Sequence, residues 1–170
     1  MSPAARAWAL AAGLCGLVLI ADQAAKAVVE DRLVIGQRVE VLGPLELTLA
    51  HNSGVAFGLA GGAGVGLVLV TLVALAVVAY LFSRNPTRSG MWVAVGLVAG
   101  GALGNLIDRI RADHVTDFIH IGSWPAFNLA DISISAGVIL LVLLYLRDAE
   151  AEDPNGEPER REEAGETNGG

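Results

Sequence analysis

The sequence predicts an all-α membrane protein, a bundle of four transmembrane helices that carries a small β element outside the membrane. Three observations predict it. The chain has 170 residues, 54% of them hydrophobic, and a mean hydropathy of +0.56, too apolar for a soluble domain of this size. Apolar runs able to cross a hydrocarbon core about 30 Å thick begin near residues 7, 64, 91 and 126. Between the first two, residues 34–50 leave the helical period for alternation: Val39 and Val41, then Leu45, Leu47 and Leu49, with Glu40, Glu46 and Thr48 between them. The expected layout is one membrane domain over residues 1–146, with its β element at about 34–58, followed by a disordered acidic tail over 147–170.

The first run, Ala7 to Ala21 behind Arg6, falls short of the roughly 20 residues a spanning helix needs, so the helix must continue past Asp22. A cleaved signal peptide has the same outline. The membrane-embedded remainder of the chain and the polar group Asp22-Gln23-Ala24-Ala25-Lys26 at the outlet favour an uncleaved span. Cys15 is the single cysteine, which excludes an intrachain disulfide and a thiolate metal site and suits a small packing residue. Reading it as the lipidation site of a lipoprotein precursor fits poorly. Leu14 stands where such signals need a small residue, and only eight apolar residues separate Cys15 from Arg6.

Gly43-Pro44 supplies a turn within the alternating segment, which reads as two strands half exposed to water. His51 to Gly58 and the glycines at 61, 62, 64 and 66 read as a loop leading into a second span at about 64–82, and Ser83 to Gly90 as a short polar connection. The third span, about 91–107, places Gly96, Gly100 and Gly104 on one helix face. That small-residue pattern lets a neighbouring backbone approach closely in lipid. The chain reads as polar from Asp108 to Trp124, an interfacial anchor, and Pro125 precedes a fourth span at about 126–146.

Four spans put both termini on one side, and the positive-inside rule barely decides which. Arg6, Arg84, Arg88 and Arg147 flank one face, while Lys26, Arg32, Arg38, Arg109 and Arg111 flank the other. Of the net charge of −7, residues 147–170 hold −6, nine acidic side chains against three arginines. Glu-, Gly- and Pro-rich and free of aromatics, this tail cannot bury enough apolar surface to fold. The rest is nearly neutral and has no basic stripe to neutralise phosphates, so nucleic acid is not an expected partner.

Charged groups at a bilayer edge are costly unless paired, hydrated or used, so the polar residues at the span ends are candidate functional groups. Asn105, Asp108 and Arg109 close the third span at i, i+3, i+4, and Asn128 and Asp131 repeat the i, i+3 spacing at the start of the fourth. The two polar stripes can face each other near one membrane surface. Asp22 and Lys26 are spaced for an intrahelical ion pair. Lys26 is the only lysine, so a serine–lysine hydrolase would have to use it, and no serine carries a nucleophile motif. His51, His114 and His120 lack the two-histidine spacing of a zinc protease, and neither metal nor cofactor is expected. The remaining chemical pair is Asp117 and Asp131. Brought within hydrogen-bonding range, two carboxylates cannot both ionise cheaply, so one keeps a proton while the other can take one from water, an acid and base pair suited to amide hydrolysis.

Five blocks, in order, carry a family resemblance: Asp22-Gln23-x-x-Lys26, Asn52-x-Gly54-x-x-Phe57-Gly58, Gly104-Asn105-x-x-Asp108-Arg109, Val115-x-Asp117-Phe118 and Phe127-Asn128-x-Ala130-Asp131. Over residues 8–146 the chain resembles the bacterial lipoprotein signal peptidases. The resemblance implies an aspartic endopeptidase of the bacterial cytoplasmic membrane, both termini cytoplasmic and its site near the outer surface. It implies Asp117 and Asp131 as the catalytic dyad, and Asp22, Lys26, Asn52, Gly54, Asn105, Arg109 and Asn128 as the residues that bind substrate and shape its site. The implied partners are diacylglyceryl-modified prolipoproteins, cut just before the lipid-bearing cysteine, and membrane lipid, with the enzyme acting as a monomer. A proton-coupled transporter would need carboxylates deep within spans and an inverted repeat. A scaffold that only binds apolar helices would leave the aspartate pair without a use.

Overall fold

The structure is a computed structural model that describes residues 1–54 and 63–152. Its elements, in chain order, are α1 (Pro3–Arg32), β1 (Arg38–Leu42), β2 (Leu45–Asn52), α2 (Ala63–Arg84), α3 (Met91–Ala112), β3 (Val115–Ile121) and α4 (Leu129–Glu152). All four helices are long and apolar enough to cross a membrane. The first extends well past Asp22, as the length argument required, capped at its start by the Ser2 hydroxyl, which accepts from the Ala5 N–H at 3.1 Å, with Pro3 in the first turn.

Helix α3 is the centre of the bundle. It packs on α1, α4 and α2, and glycines set how closely. A Cβ at Gly96 would stand 2.9 Å from the Cβ of Leu14 and one at Gly100 2.8 Å from the carbonyl oxygen of Cys15, so this face meets α1 nearly backbone to backbone. Gly101 turns toward the Ala130 carbonyl, and Gly137 of α4 lies against Ala94 and Val98, which closes the α3–α4 contact in the same way. The buried residues of α1, namely Ala7, Ala11, Val18, Asp22, Lys26 and Val29, form the matching stripe. At the end that holds the N-terminus, Phe82, Met91, Val95 and Leu144 close a core with Ala7 and Ala11.

At the opposite end lies an antiparallel sheet of order β1-β2-β3. The β1–β2 hairpin turns at Gly43, whose φ of +55° suits the first central residue of a two-residue hairpin loop. The third strand corrects the sequence reading, which left 108–124 as a polar connection. Val115-Thr116-Asp117-Phe118-Ile119 is rich in β-branched and aromatic residues, and it pairs with β2 to place Ala50 opposite Asp117 and His51 opposite Thr116. Its polar side chains are buried because the sheet lies against helix ends. Leu49 and Phe118 pack on Val29, docking the sheet on α1.

The fourth helix starts at Leu129, not near 126, and runs to Glu152, past the expected span end at Leu146. The acidic segment expected to be disordered therefore begins inside a helix, and its remainder lies outside the described residues, as do Phe57 and Gly58.

Candidate active site

Five elements bring the polar residues together. Asn105 and Asp108 come from the last turns of α3, Asp22, Gln23 and Lys26 from α1, Asn52 and Asp117 from neighbouring strands, and Asn128 and Asp131 from the start of α4. Asn52 stands two residues from Ala50, the partner of Asp117, and side chains alternate along a strand. It therefore shares a face with Asp117, and its Nδ2 donates to Asp117 Oδ2 at 3.0 Å. The Gly54 N–H donates to Asn52 Oδ1 at 3.0 Å, which leaves the amino side of Asn52 turned toward the carboxylate. Gly54 holds this turn at a φ of +72°, where a side chain is strained.

Asn128 joins the two aspartates. Its Nδ2 donates to Asp117 Oδ1 at 2.7 Å, its backbone N–H donates to Asp131 Oδ2 at 3.1 Å, and its Oδ1 accepts from the Asp131 N–H at 3.0 Å. The last two bonds also cap the start of α4, which is why Asp131 sits in its first turn. Asn105 completes the frame, donating from Nδ2 to Asp131 Oδ1 at 2.8 Å.

The two aspartates differ in their surroundings. Asp117 is 3% exposed, whereas Asp131 is half-buried. Burial is the main cause that pushes the Asp117 carboxyl up from 3.8 to about 6, and the charge of Asp131 adds to it, while the amide bonds from Asn52 and Asn128 and the charge of Lys26 oppose it.

Beneath the pair lies a second cluster. Lys26 Nζ is 2.7 Å from Asp22 Oδ2 and 2.7 Å from Asp108 Oδ2, and it donates to Asn105 Oδ1 at 2.9 Å. Asp22 Oδ1 accepts from the Ala130 N–H at 2.9 Å, tying α1 to α4. Asp22 and Lys26, which the sequence reading placed at the substrate, are 0% and 3% exposed, and their bonds go to protein groups. Arg109 is half-buried at the end of α3, where its Nη1 donates to the Asn105 carbonyl at 3.3 Å.

Besides the partners of Lys26 and Asp22, three more contacts escaped the sequence reading. Gln23 donates to Asp108 Oδ1 at 2.8 Å; it lay inside the first quoted block, but an amide carries no signal of its partner. Thr116 donates to Glu30 at the site's outer edge. His51 and His114 stack with centroids 3.7 Å apart, although they lie 63 residues apart in sequence. The histidines that flank Asp117 in sequence bond elsewhere, His114 to the Ala112 carbonyl and His120 to Glu46.

A cavity of about 500 Å³ runs along the sheet, lined in part by Arg38, Thr48, His51, His120 and Trp124. Among the described residues no group of three or more His, Cys, Asp or Glu is arranged to hold a metal ion.

This fold and site define a multi-span membrane protein that holds a pair of carboxylates in a buried frame of amides at one end of its helix bundle. Comparison with known proteins makes the class specific. The family described as "Signal peptidase (SPase) II" matches residues 14–147. Relatives named lipoprotein signal peptidase include that of Pelotomaculum thermopropionicum, 39% identical over 87% of this chain and 97% of its own, and that of Syntrophomonas wolfei, 43% identical over 82% and 94%. A solved bacterial membrane enzyme structure, obtained by the in meso method at 1.9 Å resolution, superposes with a TM-score of 0.77 at 34% identity, covering 81% of this chain and 93% of that one. The chain belongs to the signal peptidase II family, and is thus a membrane-bound peptidase.

Proposed function

We propose that this chain removes signal peptides from diacylglyceryl-modified prolipoproteins, cutting before the lipid-bearing cysteine by an aspartyl mechanism. The observation that supports the mechanism is that Asp117 and Asp131 both accept hydrogen bonds from the one residue Asn128. Asp131, the more open member, acts as base: it takes a proton from a water molecule whose oxygen attacks the carbonyl carbon of the residue before the cysteine. Asp117, the enclosed member with the raised pKa, carries the proton and donates a hydrogen bond to the carbonyl oxygen. Collapse of the tetrahedral intermediate re-forms the carbonyl, breaks the C–N bond and passes a proton to the departing amine of the cysteine.

The position of the pair suits such a substrate. An apolar signal helix and the lipid tails on its cysteine both stay in the bilayer, while a site at the bundle's sheet end admits water. Gly54 and Arg109, at the outer end of this frame, are proposed to guide the peptide backbone, and Asn52, Asn105 and Asn128 to hold the carboxylates. One chain supplies every member of the site, so a monomer suffices. The proposed orientation puts both termini and the acidic tail in the cytoplasm and the sheet on the outer surface.

Purified Asp117→Asn and Asp131→Asn variants, assayed with a lipidated precursor, test the mechanism. An amide keeps the size of the carboxylate but cannot exchange its proton, so each is expected to lose all measurable cleavage at normal membrane abundance. Glu40→Gln, on the exposed strand β1, is expected to cleave like the parent. Near-parental turnover in either aspartate variant defeats the aspartyl reading.

A further inference from the structure

We infer that Lys26 is a positioning residue for the aspartate pair, turning the donor sides of Asn105 and Asn128 toward Asp131 and Asp117 without touching substrate. This inference rests on the aspartyl reading above. An ammonium group has three N–H donors and no acceptor. Its three partners here are Asp22 Oδ2 at 2.7 Å, Asp108 Oδ2 at 2.7 Å and Asn105 Oδ1 at 2.9 Å. Every donor is used and the side chain is enclosed, so none remains for a peptide.

The consequence lies in the amides. Because Lys26 can only donate, Asn105 must present its oxygen to it, and its amino group is then forced toward Asp131 Oδ1, 2.8 Å away. The same Asn105 oxygen also accepts from Asn128 Nδ2 at 3.2 Å. Asn128 is thereby turned with its amino group between Asn105 and Asp117 Oδ1, 2.7 Å away, and its oxygen toward the Asp131 N–H. One cation thus fixes two amide orientations in series. Were Asn105 to flip, its carbonyl oxygen would face Asp131 Oδ1, and a donated hydrogen bond would be replaced by two acceptors set against each other.

The charged groups around this chain of bonds are Asp22 and Lys26 of α1, Asp108 and Arg109 of α3, Asp117 of β3 and Asp131 of α4, with Glu30 of α1 on Thr116 beside Asp117. The β2 strand contributes Asn52 to Asp117, and the stacked His51 lies further out, on His114. Among the described residues, Lys26 is therefore the one cation in direct contact with the side-chain amides that face the pair. Asp22 and Asp108 have a different part: they hold the ammonium in place, and Gln23 in turn holds Asp108.

Removing Lys26 alone would strand the buried Asp22 and the partly buried Asp108 and endanger folding. The test therefore uses Lys26→Met combined with Asp108→Asn, which keeps the cluster's net charge, and compares it with Asp108→Asn alone. Both full-length proteins are purified and assayed with a lipidated precursor across pH. Relative to Asp108→Asn, the double variant is expected to lose tenfold or more in kcat, to keep KM within about twofold, and to shift the acid limb of its pH profile upward. Lys26→Arg, which retains a donor-only cation and hence the counter-charge, is expected to keep the parental pH profile even where kcat falls. Unchanged kcat and pH profile in the double variant, or a raised KM with kcat intact, overturns the inference. So does a Lys26→Arg profile displaced like that of the double variant. Asp117→Asn is run beside them: if it is active the aspartyl reading itself fails, and if it is inactive a negative Lys26 result counts against this inference alone.

Discussion

The Nδ2 of Asn128 donates to Asp117 Oδ1 at 2.7 Å, while the same residue's backbone N–H reaches Asp131, so a fully buried asparagine fixes the placement of both carboxylates. Hydrogen bonds to charged groups contribute about 1.5–3 kcal/mol each. Asn128→Ala is therefore expected to lower kcat roughly 10- to 100-fold on the scale of one such bond. Asn128→Asp puts a third carboxylate against Asp117 and is expected to lose more. Steady-state cleavage kinetics at matched protein level check both, and an Asn128→Ala kcat within twofold of the parent would show that the bond is not needed.

Asp117 also sets a pH signature. Its carboxyl lies outside the spans and is raised from 3.8 to about 6, so the folded state binds this proton more tightly than the unfolded chain does. The stability contributed by the group is complete below pH 3.8 and is lost as pH rises through about 6. A shift of that size corresponds to about 3 kcal/mol. Melting temperature should fall between pH 4 and 7 in the parent, and this part of the slope should be missing from Asp117→Asn. Activity should follow a bell-shaped profile that belongs to the coupled pair, with its alkaline limb starting near the Asp117 value. Identical melting slopes in parent and variant would contradict the assignment.

Close packing of α1 on α3 makes a further prediction with its own control. A Cβ at Gly100 would stand 2.7 Å from the Cβ of Val18 and 2.8 Å from the Cys15 carbonyl oxygen, whereas one at Gly16 meets nothing within 4 Å. Gly100→Ala should destabilise by about 1–3 kcal/mol, the usual cost of overpacking. Gly16→Ala, at a helix position with open space for a methyl group, should be neutral or slightly stabilising. Thermal unfolding in detergent distinguishes the two, and equal effects would mean that the helices are further apart than described.

Orientation is open to labelling in intact cells. Ser89 lies at the end of the bundle with Met1 and Arg6, and Ser123 follows β3 at the other end. In a Cys15→Ala background, an impermeant thiol reagent added outside should modify Ser123→Cys and spare Ser89→Cys. The reverse pattern would invert the proposed topology.

Much of this architecture is local in origin, and local patterns are legible in a sequence. Span number and order, the glycine face at 96, 100 and 104 and the β1–β2 alternation depend on neighbours a few residues apart, and the structure has four helices and that hairpin in the expected order, with the ends of α3 and α4 shifted by a few residues. The third strand was not legible, because Thr116, Asp117 and His120 look solvated until a sheet and helix ends enclose them. The role of Lys26 was also hidden: spacing alone gives it Asp22, four residues before it, while Asp108 and Asn105 reach it only once the glycine face of α3 has brought that helix against α1. Sequence by itself thus determined which residues are too polar for their places in a membrane protein. Tertiary structure decided which of them face one another, because a carboxylate's partners and burial depend on distances across helices and strands that no spacing along the chain contains.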